Sequence, residues 1–359
     1  MKTIFKIIFL LILLPKHFFA QNLNAYSDYR DYFFVFDNGA SKQLEHLPVQ
    51  SYKVGWNIMA YVDNVGTLKA YYRGEKITLE KAWIGTYDVT DQLIVFKNGS
   101  ILRVFDNGKI YDLSFNAGAY LYGDNIVAFL DENFLMLKAY SGGKITELEN
   151  IALGDVQGFK CGENTIGLIT YNSKFRIFYN GQIADVDDYI PVSYECGKDA
   201  VAYVDASSGM FKGFINGKSF KLDDFEPLSY KVADSMIAFV SRDGYFKIVT
   251  GKTVREVESY APDFYEADDR VVAYGRNNFF HAYVNGKSYE LENYIPSEYK
   301  IDGDKIAWLD NTKKIKWLAD GNIETVTYEG SKEFEVHGNT VNFKDNSGQV
   351  RIFFSKKIF

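Results

Sequence analysis

An internal repeat constrains the fold of this chain more than any other feature of its sequence. The segment NGKSFKLDDFEPLSYK at residues 216–231 returns, with few changes, as NGKSYELENYIPSEYK at residues 285–300. Each unit carries one aromatic residue just after the linker that joins it to the preceding unit. We call this aromatic residue the anchor. The anchors are Tyr52, Tyr87, Tyr120, Phe159, Tyr194, Tyr230, Tyr265, Tyr299 and Phe334. Successive anchors lie 33 to 39 residues apart, and such a period is typical of solenoids and propellers.

Each unit reads as four short strands. The dipeptide Asn285-Gly286, which recurs at Asn180-Gly181 and Asn216-Gly217, lies between two alternating runs and predicts a tight hairpin. The second strand is apolar on both faces, as in IVAFL at 126–130 and MIAFV at 236–240. Such a strand must be covered on both sides. Four-stranded meanders stacked around an axis describe an all-β propeller.

The run MIAFVSRDGYFKIVTG at 236–251 and the run KIAWLD at 305–310 resemble the propeller repeat of Tol-type translocation proteins. This resemblance implies a bacterial periplasmic or secreted propeller. It implies no particular activity.

The residue after each anchor bears on the number of blades. Charge signs at this position alternate from Lys160 to Glu335, which suits neighbouring strands around a narrow channel. We therefore predict a channel ring, with chance alternation on a solvated face as the competing interpretation. The ring comprises Lys53, Asp88, Lys160, Glu195, Lys231, Glu266, Lys300 and Glu335. Nine anchors favour nine blades, and eight blades are the alternative.

The chain starts in the middle of a unit. YFFVFDNGASKQLEHLP at residues 32–48 matches a third and a fourth strand, whereas the last unit, from Phe334, offers three strands. We therefore predict that the strand Lys42–Leu47 completes the C-terminal blade and closes the ring.

Four prolines each lie three residues before an anchor. We predict that they lie in the linkers between blades, because proline cannot donate a backbone hydrogen bond within a sheet. They are Pro191, Pro227, Pro262 and Pro296.

The first twenty residues have the layout of a secretory signal peptide. Lys2 and Lys6 precede an apolar run at residues 7–14, and Ala20 offers a cleavage point. We expect residues 21–359 to form one propeller domain that is exported, periplasmic or secreted, without stable membrane insertion after cleavage.

Composition and motifs favour binding over catalysis. A net charge of -7 argues against nucleic-acid binding. The chain has no nucleophile elbow and no phosphate loop, and His46, His281 and His337 lack metal-ligand spacing. We expect no cofactor and no metal, and we predict an exported, non-catalytic propeller that binds a protein or glycan through its face or channel. The competing hypothesis is a carbohydrate-active enzyme with acidic residues in the channel.

Departures from the repeat supply the remaining candidates. Trp56 and Trp83 do not recur and are candidate binding aromatics, and the longest unit carries an insertion at Asn150–Gly158.

Cys161 and Cys196 lie one repeat apart at equivalent positions, so a disulfide between adjacent blades is possible in an oxidising compartment. The alternative is packing, because the same position elsewhere holds small apolar residues: Val54, Val89, Val232 and Ala267.

Overall fold

The computed structural model describes residues 22–83, 85–150 and 158–359. The predicted signal peptide and most of the insertion at Asn150–Gly158 lie outside these ranges. The described residues form ten antiparallel sheets, nine with four strands and one with three. We number the sheets as blades 1 to 10 in chain order. None of the described residues form a helix that could cross a membrane.

The strands of blades 1 to 5 are β1–β3 at Leu23–Ser27, Phe33–Asp37 and Ala40–Glu45; β4–β7 at Ser51–Val54, Ile58–Val62, Leu68–Tyr72 and Glu75–Glu80; β8–β11 at Thr86–Val89, Ile94–Asn98, Ile101–Asp106 and Lys109–Ser114; β12–β15 at Ala117–Tyr122, Ile126–Asp131, Met136–Ser141 and Lys144–Asn150; and β16–β19 at Phe159–Cys161, Thr165–Ile169, Phe175–Tyr179 and Gln182–Asp187.

The strands of blades 6 to 10 are β20–β23 at Ser193–Cys196, Ala200–Val204, Phe211–Ile215 and Lys218–Asp223; β24–β27 at Ser229–Val232, Met236–Val240, Phe246–Thr250 and Thr253–Glu258; β28–β31 at Phe264–Asp268, Val271–Arg276, Phe279–Val284 and Lys287–Glu292; β32–β35 at Tyr299–Asp302, Lys305–Leu309, Ile315–Ala319 and Asn322–Thr325; and β36–β39 at Phe334–His337, Thr340–Lys344, Val350–Phe354 and Lys357–Ile358.

Each four-stranded blade is a meander whose strands we call A to D in chain order. The A strands of neighbouring blades contact one another, so they line the axis. Every residue of the B strands Ile58–Val62 and Met236–Val240 is buried, which confirms the prediction of a strand covered on both faces. The C–D hairpins of blades 3, 5, 6 and 8 turn through Asn-Gly pairs. Asn285 and Gly286 have φ of 50° and 82°, as this tight turn requires. All four predicted prolines lie in linkers outside strands.

Aromatic side chains join successive blades. Phe246 on strand C of blade 7 packs against Tyr265 and Tyr274 of blade 8, with ring centroids 5.1 and 5.3 Å apart. Phe211 and Phe175 make the equivalent contacts one and two blades earlier, respectively. The anchors are therefore part of the hydrophobic scaffold, as their recurrence suggested.

Two sequence predictions about the ring are wrong. The ring has ten blades, neither nine nor eight. The N-terminal strand does not complete the last blade: Ala40–Glu45 pairs with Phe33–Asp37, and the last sheet ends with its own strand Lys357–Ile358. The physical reason is locality, because each of these strands follows its partner through a two-residue turn.

The N-terminal sheet is thus a blade of its own. It lies between blades 10 and 2, since Leu23–Ser27 contacts both Ser51–Val54 and Thr340–Lys344. Phe36 packs on Phe354 and Phe359 with centroid distances of 5.7 and 5.2 Å. The ring closes by face-to-face packing of whole blades.

Candidate functional site at the channel mouth

The turns between strands A and B pack tightly around one end of the axis. Several of them place glycine in the turn, where a side chain has no room. A Cβ atom on Gly162 would lie 2.3 Å from the carbonyl oxygen of Gly197, and one on Gly197 would lie 2.0 Å from that of Ala233. Because each turn touches the next through backbone atoms, the residue that follows the glycine is directed toward the axis.

Side chains on these turns and at the adjoining ends of the A strands form a cluster that we call the channel mouth. Trp56 of blade 2 donates a hydrogen bond from Nε1 to Oδ1 of Asp302 in blade 9. Ligand oxygens of Glu163 in blade 5 and of Asp268 and Asp269 in blade 8 lie within 4.8 Å of one another. Side chains from non-adjacent blades therefore meet across the axis. The members of the channel mouth are Trp56, Asp91, Asp124, Glu163, Lys198, Asp234, Asp268, Asp269 and Asp302.

Lys198 is the positive charge at the centre of this cluster. Its Nζ lies 3.3 Å from Asp234 Oδ1, 3.4 Å from Glu163 Oε2 and 3.5 Å from Asp124 Oδ2. Burial opposes the ammonium charge, but these three carboxylates outweigh it and raise the pKa of Lys198. The same Nζ lies 5.9 Å from the centroid of the Trp56 ring, which is within the range of a cation–π contact.

The carboxylates outnumber the cations that pair with them. Burial, reinforced by neighbouring carboxylates, raises the pKa of Asp269 to about 8 and that of Asp302 to about 7. Burial and the charge of Asp124 also raise the pKa of Asp91 and of Glu163. Within the described ranges, only Lys198 and Arg270 form ion pairs with the seven carboxylates. The site therefore holds extra protons at neutral pH or attracts another cation.

The oxygens of Glu163, Asp268 and Asp269 lie close enough together to bind a single cation. Hard cations such as Ca²⁺ prefer carboxylate oxygens, and an ammonium or guanidinium group meets the same charge. The chemistry of the mouth is thus recognition of positive charge, or proton exchange between carboxyl groups.

Comparison with known proteins identifies the family. Residues 17–359 match the family model described as a 10-bladed β-propeller domain. The chain belongs to this family. No curated protein sequence matches the chain.

Solved structures match the chain at low identity. A eukaryotic initiation factor is 10% identical over 86% of this chain and 97% of its own, with a TM-score of 0.46. The CRINKLY WD40 ectodomain of the Arabidopsis thaliana receptor kinase ACR4 is 9% identical over 67% and 93%, with a TM-score of 0.33. The computationally designed Ika8 protein is 14% identical over 75% and 95%, with a TM-score of 0.34. Similarity at this level transfers no function to the ten-bladed propeller.

The predicted charge ring lies on the A strands of the ten-bladed propeller, beside the mouth. Lys53 pairs with Asp88, and Lys300 lies 3.6 Å from Glu335. Two other members form hydrogen bonds with residues outside the ring: Lys160 donates to the carbonyl oxygen of Tyr194, and Glu266 accepts from the hydroxyl of Tyr299. Lys231 is exposed. Glu195 is half-buried on its strand. Blade 1 lies between blade 10, which carries Glu335, and blade 2, which carries Lys53. A role of this ring in binding stays a prediction.

The two candidate tryptophans have different environments. Trp83 packs against Tyr87 and Phe96 with ring centroids 6.3 and 6.0 Å apart, inside a hydrophobic cluster. Trp56 lies at the mouth and is 7% exposed.

The sequence analysis did not predict the acidic members of the mouth, although the sequence contains a signal for them. Five units after Trp56 carry Asp or Glu four residues after the anchor: Asp91, Asp124, Glu163, Asp234 and Asp269.

Cys161 and Cys196 are free thiols in the structure, not a disulfide. Burial raises the pKa of Cys196 to about 12 and also raises that of Cys161. Both side chains belong to hydrophobic clusters between blades, as the packing alternative describes.

Proposed function

We propose that this ten-bladed propeller is an exported, non-catalytic binding protein whose channel mouth receives a positively charged group of a protein partner. The observation that carries the proposal is the convergence of seven carboxylates from six blades on one end of the axis, around the single lysine Lys198. Lysine or arginine side chains of a partner supply the missing positive charge.

The rigid ring favours recognition of this kind. The mouth residues stand on turns whose backbones are packed against each other, so their positions are fixed before a ligand arrives. The local dielectric is low because the side chains, apart from the exposed Asp268, are half-buried or buried, and charge pairing is stronger there than at an open surface. Trp56 adds an aromatic face beside the carboxylates.

Titration calorimetry with trilysine tests the mouth directly. We expect binding that weakens as salt is raised, and that weakens about tenfold or more in the double variant Asp124→Asn/Asp234→Asn, because two of the carboxylates that pair with Lys198 are lost. Asp112→Asn is the matched control, since Asp112 is an exposed carboxylate on an outer strand paired with Arg103. Absence of trilysine binding, or equal weakening in the control, contradicts the proposal.

The affinity for trilysine also depends on pH in a defined direction. Asp302 and Asp269 lose their protons near pH 7 and 8, so binding is expected to tighten as pH rises through this range.

Export is tested separately by expressing the protein in a secreting host and measuring the mass of the mature chain. We expect the mature chain to begin at Gln21.

A carbohydrate-active enzyme is the second candidate, and one observation favours it. A glycosidase needs a carboxylic acid that stays protonated near neutral pH beside an ionised carboxylate, and the raised pKa values of Glu163 and Asp269 meet the first requirement. Release of reducing sugars from a panel of polysaccharides, lost in Glu163→Gln and retained in Asp112→Asn, is the result that establishes this alternative.

A further inference from the structure

A buried hydroxyl group without a hydrogen-bond partner lies at the interface between blades 7 and 8. Tyr283, on strand C of blade 8, is 3% exposed. Among the described residues, no group forms a hydrogen bond with its hydroxyl. Burying a hydroxyl without a partner is unfavourable, and native proteins seldom do so. The position therefore calls for an acceptor that the chain itself does not supply.

The equivalent tyrosines of two other blades show which acceptor is missing. Tyr71 and Tyr140, like Tyr283, lie two residues before the C–D turn. Tyr71 donates to Asp37 Oδ2 at 2.9 Å, and Tyr140 donates to Asp106 Oδ2 at 2.8 Å. Each aspartate directly precedes the hairpin turn of the preceding blade. In both pairs, a carboxylate from the neighbouring blade thus accepts from the tyrosine.

Blade 7 has a threonine at the position of that carboxylate. Thr250 directly precedes the turn at Gly251-Lys252 and is exposed. Its side chain is shorter than that of aspartate and carries no charge. Thr250 and Tyr283 both line a cavity of about 310 Å³ between the two blades, and small-molecule sites have volumes of about 300–1,000 Å³. The position of the missing carboxylate therefore borders a space of ligand size.

The cavity is lined by groups that donate hydrogen bonds or carry positive charge. Its main polar residues are Ser235, Thr250, Thr253, Arg255, Arg270 and Tyr283. The described residues of the lining include no aspartate and no glutamate, although the chain has a net charge of -7. Two guanidinium groups together with hydroxyl donors match the oxygens of a phosphate or sulfate group.

Arg255 provides a positive charge that no carboxylate of the described residues neutralises in an ion pair. One of its terminal nitrogens donates to the backbone carbonyl oxygen of Gly286 at 3.1 Å. A Cβ atom at Gly286 would lie 3.6 Å from the same nitrogen, so the guanidinium lies against the backbone of the C–D turn of blade 8. A guanidinium has five N–H donors, and most of them remain for a ligand.

Arg270 lies between the cavity and the acidic mouth. Its Nε is 3.9 Å from Asp234 Oδ2. Burial favours the neutral form of Asp304, but Lys305 and then Arg270 lower the pKa of this carboxyl. Both carboxylates have a closer lysine partner, since Asp234 lies 3.3 Å from Lys198 Nζ and Asp304 lies 2.7 Å from Lys305 Nζ. They therefore take up only part of the charge of Arg270.

We propose that the cavity between blades 7 and 8 binds a small anion through a phosphate or sulfate group. One oxygen of this group takes the place of the missing carboxylate and accepts from the Tyr283 hydroxyl. Arg255 and Arg270 pair with the charge of the group, and Thr250 and Thr253 donate to its other oxygens. This site is distinct from the channel mouth, which attracts positive charge.

Titration calorimetry with inorganic phosphate, at an ionic strength held constant with sodium chloride, tests the site. We expect saturable binding that weakens about tenfold in Tyr283→Phe and about tenfold or more in Arg255→Gln, because each change removes a hydrogen bond to a charged group. The matched controls are Tyr140→Phe and Lys144→Gln, which should change the affinity about twofold or less. Tyr140 already has Asp106 as its acceptor, and Lys144 is an exposed cation on blade 4.

The stability of the phosphate-free protein separates ligand binding from packing. Tyr283→Phe should unfold at the wild-type temperature or above it, because it loses a hydroxyl that has no partner. Tyr140→Phe should unfold at a lower temperature, because Asp106 loses a donor. Thr250→Asp supplies the carboxylate that blades 1 and 3 have. It should raise the unfolding temperature and abolish phosphate binding.

Two further probes identify the source of the anionic group. Sulfate should compete with phosphate, because it has the same shape and charge. Tighter binding of glycerol 3-phosphate than of inorganic phosphate assigns the site to phosphate esters, and the reverse order assigns it to the free anion. Trilysine binding should be unchanged in Tyr283→Phe, so the result does not depend on the proposed function of the mouth.

Three outcomes overturn the proposal. The wild-type protein binds neither phosphate nor sulfate. Tyr283→Phe and Arg255→Gln bind phosphate as tightly as their controls, which would show that the anion binds elsewhere. Or Thr250→Asp retains phosphate binding and gains no stability, which would show that position 250 does not face the Tyr283 hydroxyl.

Discussion

Asn342 donates a hydrogen bond from Nδ2 to Oδ1 of Asn24 at 2.9 Å, although 318 residues separate them in the chain. Asn24 in turn donates to Oγ1 of Thr340 at 3.0 Å and is fully buried. At the position of Asn24 the other blades carry apolar residues, such as Met59. The interface between the first and last blades is therefore marked by polar side chains that hydrogen-bond across it.

Removal of one partner of this pair should destabilise the ring. Asn24→Val leaves the Asn342 amide without its acceptor, and Asn342→Ala leaves Asn24 without this donor. We expect each single variant to lower the free energy of unfolding by about 1–3 kcal/mol. The double variant Asn24→Val/Asn342→Ala restores the residue types of the other blades and should cost less than the sum of the single variants. Urea denaturation of all three proteins measures the coupling, and strict additivity would contradict an interaction between the two side chains.

A methyl group at Gly162 should disturb the channel mouth. Its Cβ would lie 2.3 Å from the carbonyl oxygen of Gly197 and 2.6 Å from the carbonyl carbon of Cys196, and backbone atoms cannot rotate away. We expect Gly162→Ala to lower the free energy of unfolding by about 1–3 kcal/mol and to weaken trilysine binding. Gly330→Ala is the control, since its nearest contact would be 3.4 Å. Equal stability of the two variants would show that the turns are not tightly packed.

The mouth carboxyls predict how stability depends on pH. The folded protein holds the pKa of Asp302 at about 7 and that of Asp269 at about 8, whereas both are near 4 in an unfolded chain. Between these values the folded state binds more protons, so the free energy of unfolding falls as pH rises. Urea denaturation between about pH 7.5 and 8.5 checks this, in a range above the pKa of about 6.5 that His337 has in the unfolded chain.

The corresponding amides should remove part of that slope. Asp269→Asn and Asp302→Asn cannot lose a proton, so their stability should change less with pH than that of the wild type. Asp112→Asn should keep the wild-type slope. A slope that is unchanged in both mouth variants would assign the pH dependence to other groups.

The two cysteines should behave as buried thiols. Burial raises the pKa of Cys196 to about 12, so little thiolate is present at neutral pH and reaction with a disulfide reagent should be slow in the folded protein. In denaturant both thiols should react. Cys161→Val and Cys196→Val should fold normally, because the equivalent position holds Val54 and Val232. A mass two hydrogens lower than the sequence predicts would show a disulfide instead.

The sequence by itself determined the repeat unit. The Asn-Gly turns, the doubly apolar B strands such as Met236–Val240 and the linker prolines depend on interactions within about 35 residues, and local turn chemistry and hydrophobic patterning are sufficient to set them. The family model and the structure agree with that prediction of a propeller.

The tertiary structure decided the number of blades and the site. The count of ten follows from how far each blade rotates against the next, which depends on side-chain packing across every interface and on the N-terminal sheet standing alone. The channel mouth joins Trp56 to Asp302 and Glu163 to Asp269, pairs more than 100 residues apart in sequence. Their approach is set by closure of the whole ring, because a narrow axis brings together side chains that no local pattern relates.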